Sequence, residues 1–182
     1  MRKIICIAGE TASGKDTLTD MVSWETGIPK VVSYTDAPKR TDQTEGKEHY
    51  FLTPEQFDRV LEEQTVIAYT KIGKTGYRYC ATLESLKADK VLYIIDPAGI
   101  HDLKSKHLPD TEIKVAYIYT PLEVRRRRAS VRGNFNFDER VRNEEAQFED
   151  FHKNREADTV IYNFGDISEA EKMLASFVEG GK

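Results

Sequence analysis

Gly9-Glu10-Thr11-Ala12-Ser13-Gly14-Lys15-Asp16 constrains this chain more than any other stretch. It follows Lys3-Ile4-Ile5-Cys6-Ile7-Ala8, a short apolar run of the kind that forms a strand buried on both faces. A glycine, four residues, a second glycine, a lysine and then an apolar-periodic segment read as strand, phosphate loop and helix. Such a loop holds phosphate with backbone N–H groups, which reach an anion only where no Cβ stands in the way. The helix expected from about Lys15 to Trp24 adds unpaired N–H groups and the positive end of its dipole. Gly9, Glu10, Thr11, Ala12, Ser13, Gly14, Lys15, Asp16 and Thr17 are therefore the candidate donor-nucleotide site, with Lys15 as the charge on the outer phosphates. Serine or threonine usually follows that lysine and ligates magnesium. Asp16 stands there instead, a better ligand for a hard cation but an added negative charge beside phosphate, and Thr17 offers the hydroxyl next to it.

The rest of the chain suits one α/β domain over residues 1–182. At 182 residues, with 39% hydrophobic and 32% charged side chains, it has the composition of a globular domain with a hydrated surface. A net charge of −4 gives no general case for nucleic acid or membrane binding. No apolar run approaches the ~20 residues of a membrane span, and the immediate entry into a strand argues against a signal peptide. Cys6 and Cys80 form neither a disulfide framework nor a metal-ligand spacing, so a reduced, cytoplasmic setting is expected.

Short apolar strands recur at Lys30–Ser33, Val91–Ile95, Ile113–Tyr119 and Thr159–Asn163, and an amphipathic helix is expected from Ser168 to Phe177. Strands alternating with helices give a parallel sheet with helices on both faces. Ligands of such sheets bind at the carboxyl ends of the strands, where Gly9, Ser33, Asp96 and Thr120 fall. Thr120 is expected to cap the helix after it. Two segments interrupt the pattern. Residues 34–87 read as a polar loop, a helix opened by Thr53-Pro54 and a hairpin turning at Gly73–Gly76. Residues 121–154 hold Arg125, Arg126, Arg127, Arg128, Arg132, Arg140 and Arg142, seven arginines within 18 residues of an acidic chain. Two helices joined by the polar tip Gly133–Asn136, with arginines on both, describe a lid able to close over polyphosphate. The core is then 1–33, 88–120 and 155–182.

In this order, the phosphate loop, Ser33-Tyr34-Thr35 to Tyr50-Phe51, Asp96–Gly99, the arginine-rich stretch and Val160–Asn163 resemble the guanylate kinases, the P-loop nucleoside monophosphate kinases specific for guanine. The resemblance covers nearly the whole chain. It implies a three-layer P-loop kinase fold with a nucleotide-binding insertion and an arginine lid. It also implies transfer of the ATP γ-phosphate, with Mg2+, to a nucleoside monophosphate, most readily GMP or dGMP, by a monomer or homodimer. Ser33, Arg40, His49, Tyr50, Tyr79 and Asp96 become the acceptor-binding set, with Arg40 and Tyr79 on the acceptor phosphate. Lys15, Arg128, Arg132 and Arg142 become the catalytic set. Asp16, Thr17 and Asp96 become the residues near magnesium. His49 replaces the family's tyrosine, Ala37 its first acceptor-loop arginine, and Ala68 the glutamate that reads guanine, while the partner of that readout falls near Ala81 or Thr82. These departures keep two alternatives open: another phosphorylated acceptor, or an inactive guanylate-kinase-like binding module.

Overall fold

The computed structural model describes residues 1–41, 43–73, 75–133 and 136–180. Lys74 of the expected hairpin turn, and Asn134 and Phe135 of the expected tip, lie outside the described residues. The first apolar run forms β1 (Arg2–Ala8), and its alternation founds two cores. Ile4, Cys6 and Ala8 face one side of the sheet, while Ile5 and Ile7 face the other. The chain then forms α1 (Lys15–Thr26), β2 (Ser33–Thr35), β3 (His49–Phe51), α2 (Pro54–Glu63), β4 (Val66–Lys71) and β5 (Arg78–Thr82). After these come β6 (Lys90–Ile94), α3 (Pro97–Ser105), β7 (Thr111–Tyr119), α4 (Leu122–Val131), α5 (Phe137–Lys153), β8 (Thr159–Tyr162) and α6 (Ile167–Glu179).

β6, β1, β7 and β8 form a parallel sheet in that order. α1 and α6 cover the Ile5/Ile7 face through Leu18, Val22, Leu174 and Val178. α3 and α5 cover the other through Ile100, Leu103, Phe148 and Phe151. The second sheet runs β3-β2-β5-β4, with β2 parallel to β3 and β5 antiparallel to both β2 and β4. Its Ile67, Ala68 and Ala81 are buried in the same core as Phe148 and Phe151, so the insertion is rooted in the main body. Among the described residues no helix is long and apolar enough to cross a membrane.

Three local expectations change. The Lys30–Ser33 strand touches the main sheet only at Lys30, opposite Leu92, because at Ser33 the chain already enters the second sheet. Asp96 opens a helix that the apolar pattern alone does not announce: its side chain accepts from Gly99 N at 2.7 Å and Pro97 takes the first helical position. Thr120 does not cap α4, whose N-cap is Pro121. Its hydroxyl points instead to carbonyl oxygens of the phosphate loop and of Asn163.

One side chain ties the insertion together. Arg78 Nε donates to Asp36 at 2.6 Å, its Nη1 donates to Asp58 and its Nη2 to Pro54 O at 3.2 Å, while the guanidinium lies 4.6 Å above the Phe57 ring. Asp36 also accepts from Arg78 N at 2.7 Å, which fixes the start of β5. Removing the fork leaves the mostly buried Asp36 carboxylate without its main countercharge. Arg78→Met should lower the unfolding free energy by about 2–4 kcal/mol in urea denaturation; wild-type stability would contradict this anchor.

Candidate functional site

The phosphate loop leaves β1 at Gly9, where an added Cβ would stand 2.7 Å from Ser13 Oγ and 2.9 Å from the Ile118 carbonyl oxygen. Ala12 (φ 61°) and Gly14 (φ 86°) take left-handed conformations, which curl successive amides into a concave backbone. α1 starts at Lys15, so the N–H groups of its first turn have no intrahelical acceptor. Donors converge behind the loop on the Ser13 carbonyl oxygen. Asn163 Nδ2 donates to it at 2.7 Å and Arg128 Nη1 at 3.0 Å, with the Thr120 hydroxyl also 3.0 Å away. Arg128 Nη2 reaches Asn163 O at 3.0 Å, and the buried Arg125 donates from Nε to Thr120 O at 3.1 Å. On the other flank, Glu10 accepts from the Tyr117 hydroxyl at 2.7 Å, and Glu144 Oε2 accepts from Thr11 N at 2.7 Å.

Lys15, mostly buried, sits 3.9 Å from the carboxylate of Asp16, which is open to solvent, as is Thr17. Neighbouring chain partly desolvates Asp16 and opposes its charge, but Lys15, its own amide, Lys30 and His49 together hold its pKa below the usual carboxylate value. Burial pushes Asp96 the other way, against the Gly99 amide, Thr70 and Lys15. No group of three or more His, Cys, Asp or Glu side chains able to cage a metal occurs among the described residues. One open carboxylate beside a phosphate loop fits magnesium, which keeps its waters and binds through one or two carboxylates plus the phosphates of its nucleotide.

The second sheet supplies the facing wall. Ser33 pairs with His49 across β2 and β3, and Ser33 Oγ and His49 Nδ1 share a 2.8 Å hydrogen bond. Thr35 pairs with Tyr79, which puts Tyr79 on the same sheet face, its ring 5.3 Å from that of His49. Tyr50 lies on the opposite face, stacked on Tyr34 at 5.3 Å, so the structure separates it from Ser33, His49 and Tyr79. Thr70 pairs with Tyr79 and donates weakly to Asp96 at 3.4 Å, whereas Ala68 is buried opposite Ala81. Arg40 lies on the exposed loop before β3. Burial, with Arg40 adding to it, lowers the His49 pKa from 6.5 to about 4, against Asp16 and Glu48. His49 is therefore neutral at pH 7.

The arginines fall in distinct places. Arg128 is engaged behind the loop, while Arg132, at the end of α4, and Arg142 are exposed. Arg127, Arg128, Val131 and Arg132 line a shallow cleft of about 230 Å³. Arg140 is half-buried: burial and Arg40 lower its pKa, whereas Glu144, Tyr79 and Asp16 favour its charge. The phase of α5 explains this. Phe137, Phe148 and Phe151 are its buried residues, and spacings of three and four bring Arg140 and Glu144 onto their side while Arg142 falls outside. That phase is the sequence signal for Arg140 and Glu144. Asn163 and Thr120 had only their strand-end positions, and Thr70 only its hairpin register.

A parallel sheet with helices on both faces, a glycine loop after its first strand and a mixed second sheet opposite define a P-loop kinase. The sequence model of the family described as guanylate kinase matches residues 1–180, and the chain belongs to that family. It is 28% identical to the guanylate kinase of Porphyromonas gingivalis over 141 residues, 73% of each chain. It is also 28% identical to that of Fusobacterium nucleatum over 106 residues, spanning 55% of this chain and 56% of the relative. A crystal structure of guanylate kinase from Anaplasma phagocytophilum superposes with a TM-score of 0.72 at 21% identity, covering 98% of this chain and 85% of that one. Family membership supports kinase chemistry in general.

The low pKa of His49 has a measurable consequence. Unfolded, the imidazole takes a proton near 6.5, but in the fold only near pH 4, so the unfolded chain binds the proton first. The His49 contribution to stability is full above about pH 6.5 and is lost as pH falls toward 4. Urea denaturation at pH 7.5 and pH 5 should show a larger acid loss for the wild type than for His49→Gln. Equal losses would contradict a buried, neutral His49.

Proposed function

We propose that this chain is an ATP-dependent nucleoside monophosphate kinase, with GMP or dGMP as acceptor. One observation carries the reading: Ser33, His49 and Tyr79 cluster on one face of the second sheet, and His49 and Arg140 are near enough to Asp16, beside Lys15 of the loop, for their charges to be felt there. That arrangement suits two anionic groups held in line, which is most of what phosphoryl transfer asks of a protein.

The loop amides and Lys15 hold the donor phosphates. Arg40 and Tyr79 grip the acceptor phosphate, an anion already, so no base is needed to make it nucleophilic. Its oxygen attacks the γ-phosphorus as the bond to the β,γ-bridging oxygen breaks, giving ADP and a nucleoside diphosphate. Arg140 carries positive charge to the space between the two sites and stabilises charge on the transferring group. Asp16, with Thr17 beside it and Asp96 nearby, would hold magnesium, which when bound would neutralise charge on the donor phosphates. Residues 34–87 act as the acceptor-binding insertion and 121–154 as a lid, and closure brings the exposed Arg132 and Arg142 toward the nucleotides and excludes water. Arg128, engaged on the loop backbone, positions the donor site from behind. Guanine as the base draws on the family and its named relatives.

A second reading, a P-loop kinase for another phosphorylated acceptor, is favoured by the wall itself. Thr70 and Asp96, rather than a glutamate, meet at the end of the hairpin.

Turnover with ATP and a panel of GMP, dGMP, the other monophosphates and phosphomevalonate tests both readings. Highest kcat/KM for GMP or dGMP supports the first, and preference for another acceptor the second. No transfer to any of them by folded protein would overturn both in favour of a binding module. Lys15→Ala should lower kcat by at least about 100-fold without shifting the melting temperature, and retained turnover would refute the donor site.

A further inference from the structure

α5 carries a carboxylate where a hydrophobic side chain would be expected. Glu144 stands seven residues after Phe137 and four before Phe148, in step with the side chains that α5 buries. Its Oε2 accepts from the backbone N–H of Thr11 at 2.7 Å, across 133 residues of sequence. Thr11 is only 1% exposed and lies within the phosphate loop, so one amide of the loop is filled by an anionic oxygen of the protein itself. Hydrogen bonds from N–H to carboxylate are among the stronger neutral–ion contacts, and their geometry is that of N–H to phosphate. The Thr11 flank of the loop faces α5, where Arg140 stands one turn before Glu144 and feels both Arg40 and Tyr79. This is the side toward the acceptor wall. On the donor-site reading, a phosphoryl group about to be transferred would lie on that side, with the inner phosphates toward the start of α1.

We propose that Glu144 is an internal stand-in for the terminal phosphate of the donor: it holds the Thr11 amide when no triphosphate is bound and gives it up when ATP binds. The inference rests on the donor-site reading above. Two anions cannot share one N–H without repulsion, so docking of the Glu144 carboxylate on the loop and binding of the γ-phosphate oppose each other. The contact ties α5 to the Thr11 amide, and its release is tied to arrival of the triphosphate. ADP, which ends at the β-phosphate, leaves Glu144 in place.

Isothermal titration calorimetry of Mg·ATP and Mg·ADP into the full chain, without acceptor, tests this. Glu144→Gln keeps the shape and an acceptor oxygen but removes the charge, and Glu144→Ala removes both. Each should tighten ATP binding by about three- to tenfold and change ADP binding by less than about twofold. Glu145→Gln, which removes the same charge from an exposed position of α5, should leave both affinities at wild-type values. Thermal melting establishes that each variant is folded, and either Glu144 variant alone gives the answer. ATP affinity that is unchanged or weaker in the folded Glu144 variants, while the wild type binds ATP, would overturn the inference. An equal gain for ADP would overturn it too, because the terminal phosphate would then not be the competitor. Absence of ATP binding by the wild type would instead overturn the donor site on which it stands.

Discussion

The carbonyl oxygen of Ser13 is the point through which distant parts of the chain fix the phosphate loop. Asn163 comes from the end of β8, Arg128 from α4 and Thr120 from the end of β7, and all three place donors within 3.0 Å of that oxygen. Asn163 and Arg128 can occupy both lone pairs of that oxygen, and the single Thr120 proton has Asn163 O at 2.9 Å as its alternative acceptor. Turning this carbonyl to the rear of the loop commits the neighbouring peptides, because Gly14 must then take its left-handed conformation. An added Cβ there would meet Asn163 Nδ2 at 2.5 Å, so the glycine and the asparagine need each other. The front of the loop is left with N–H groups.

The front is useful only because two other structures face it. The second sheet brings Ser33, His49 and Tyr79 onto one face, and its Ile67, Ala68 and Ala81 lock that face to the main core. α5 is held against the same core by Phe148 and Phe151, and this packing turns Arg140 and Glu144 inward. Charge is balanced locally rather than globally. A chain of net charge −4 gathers Lys15, Arg40 and Arg140 around one cleft while keeping His49 neutral there. Cys6 and Cys80 take no part, since burial pushes both thiols up to about 12.

Much of this could be read from the sequence where the information is contiguous. Strand, loop and helix follow one another over two dozen residues, and the glycines have steric reasons that need no tertiary context. Thr53-Pro54 likewise announces α2, whose capping box closes on Gln56. The site beyond the loop depends on phase and register, which are not contiguous in sequence. Arg140 and Arg142 differ by two positions, which on a helix is nearly opposite faces, and only the buried phenylalanines decide between them. Tyr50 and His49 are neighbours in sequence, but adjacent strand residues point apart, and Tyr50 stacks on Tyr34 instead. Ala68 and Thr70 exchange importance through the hairpin register, which the turn residues do not set by themselves. The arginine run marks Arg128 as a charge for the ligand, and in the fold its guanidinium meets the Ser13 and Asn163 carbonyls. Nothing local distinguishes an arginine that grips phosphate from one that grips the loop.

If the donors on the Ser13 carbonyl are what make the loop a phosphate cradle, weakening them should be felt at the nucleotide before it is felt by the fold. Mg·ATP affinity of Asn163→Ala, measured by calorimetry alongside circular dichroism, addresses this most directly. The account predicts affinity weakened by about tenfold with native secondary structure retained, the loss that one buried hydrogen bond to the loop carries. Wild-type affinity in the folded variant would contradict it.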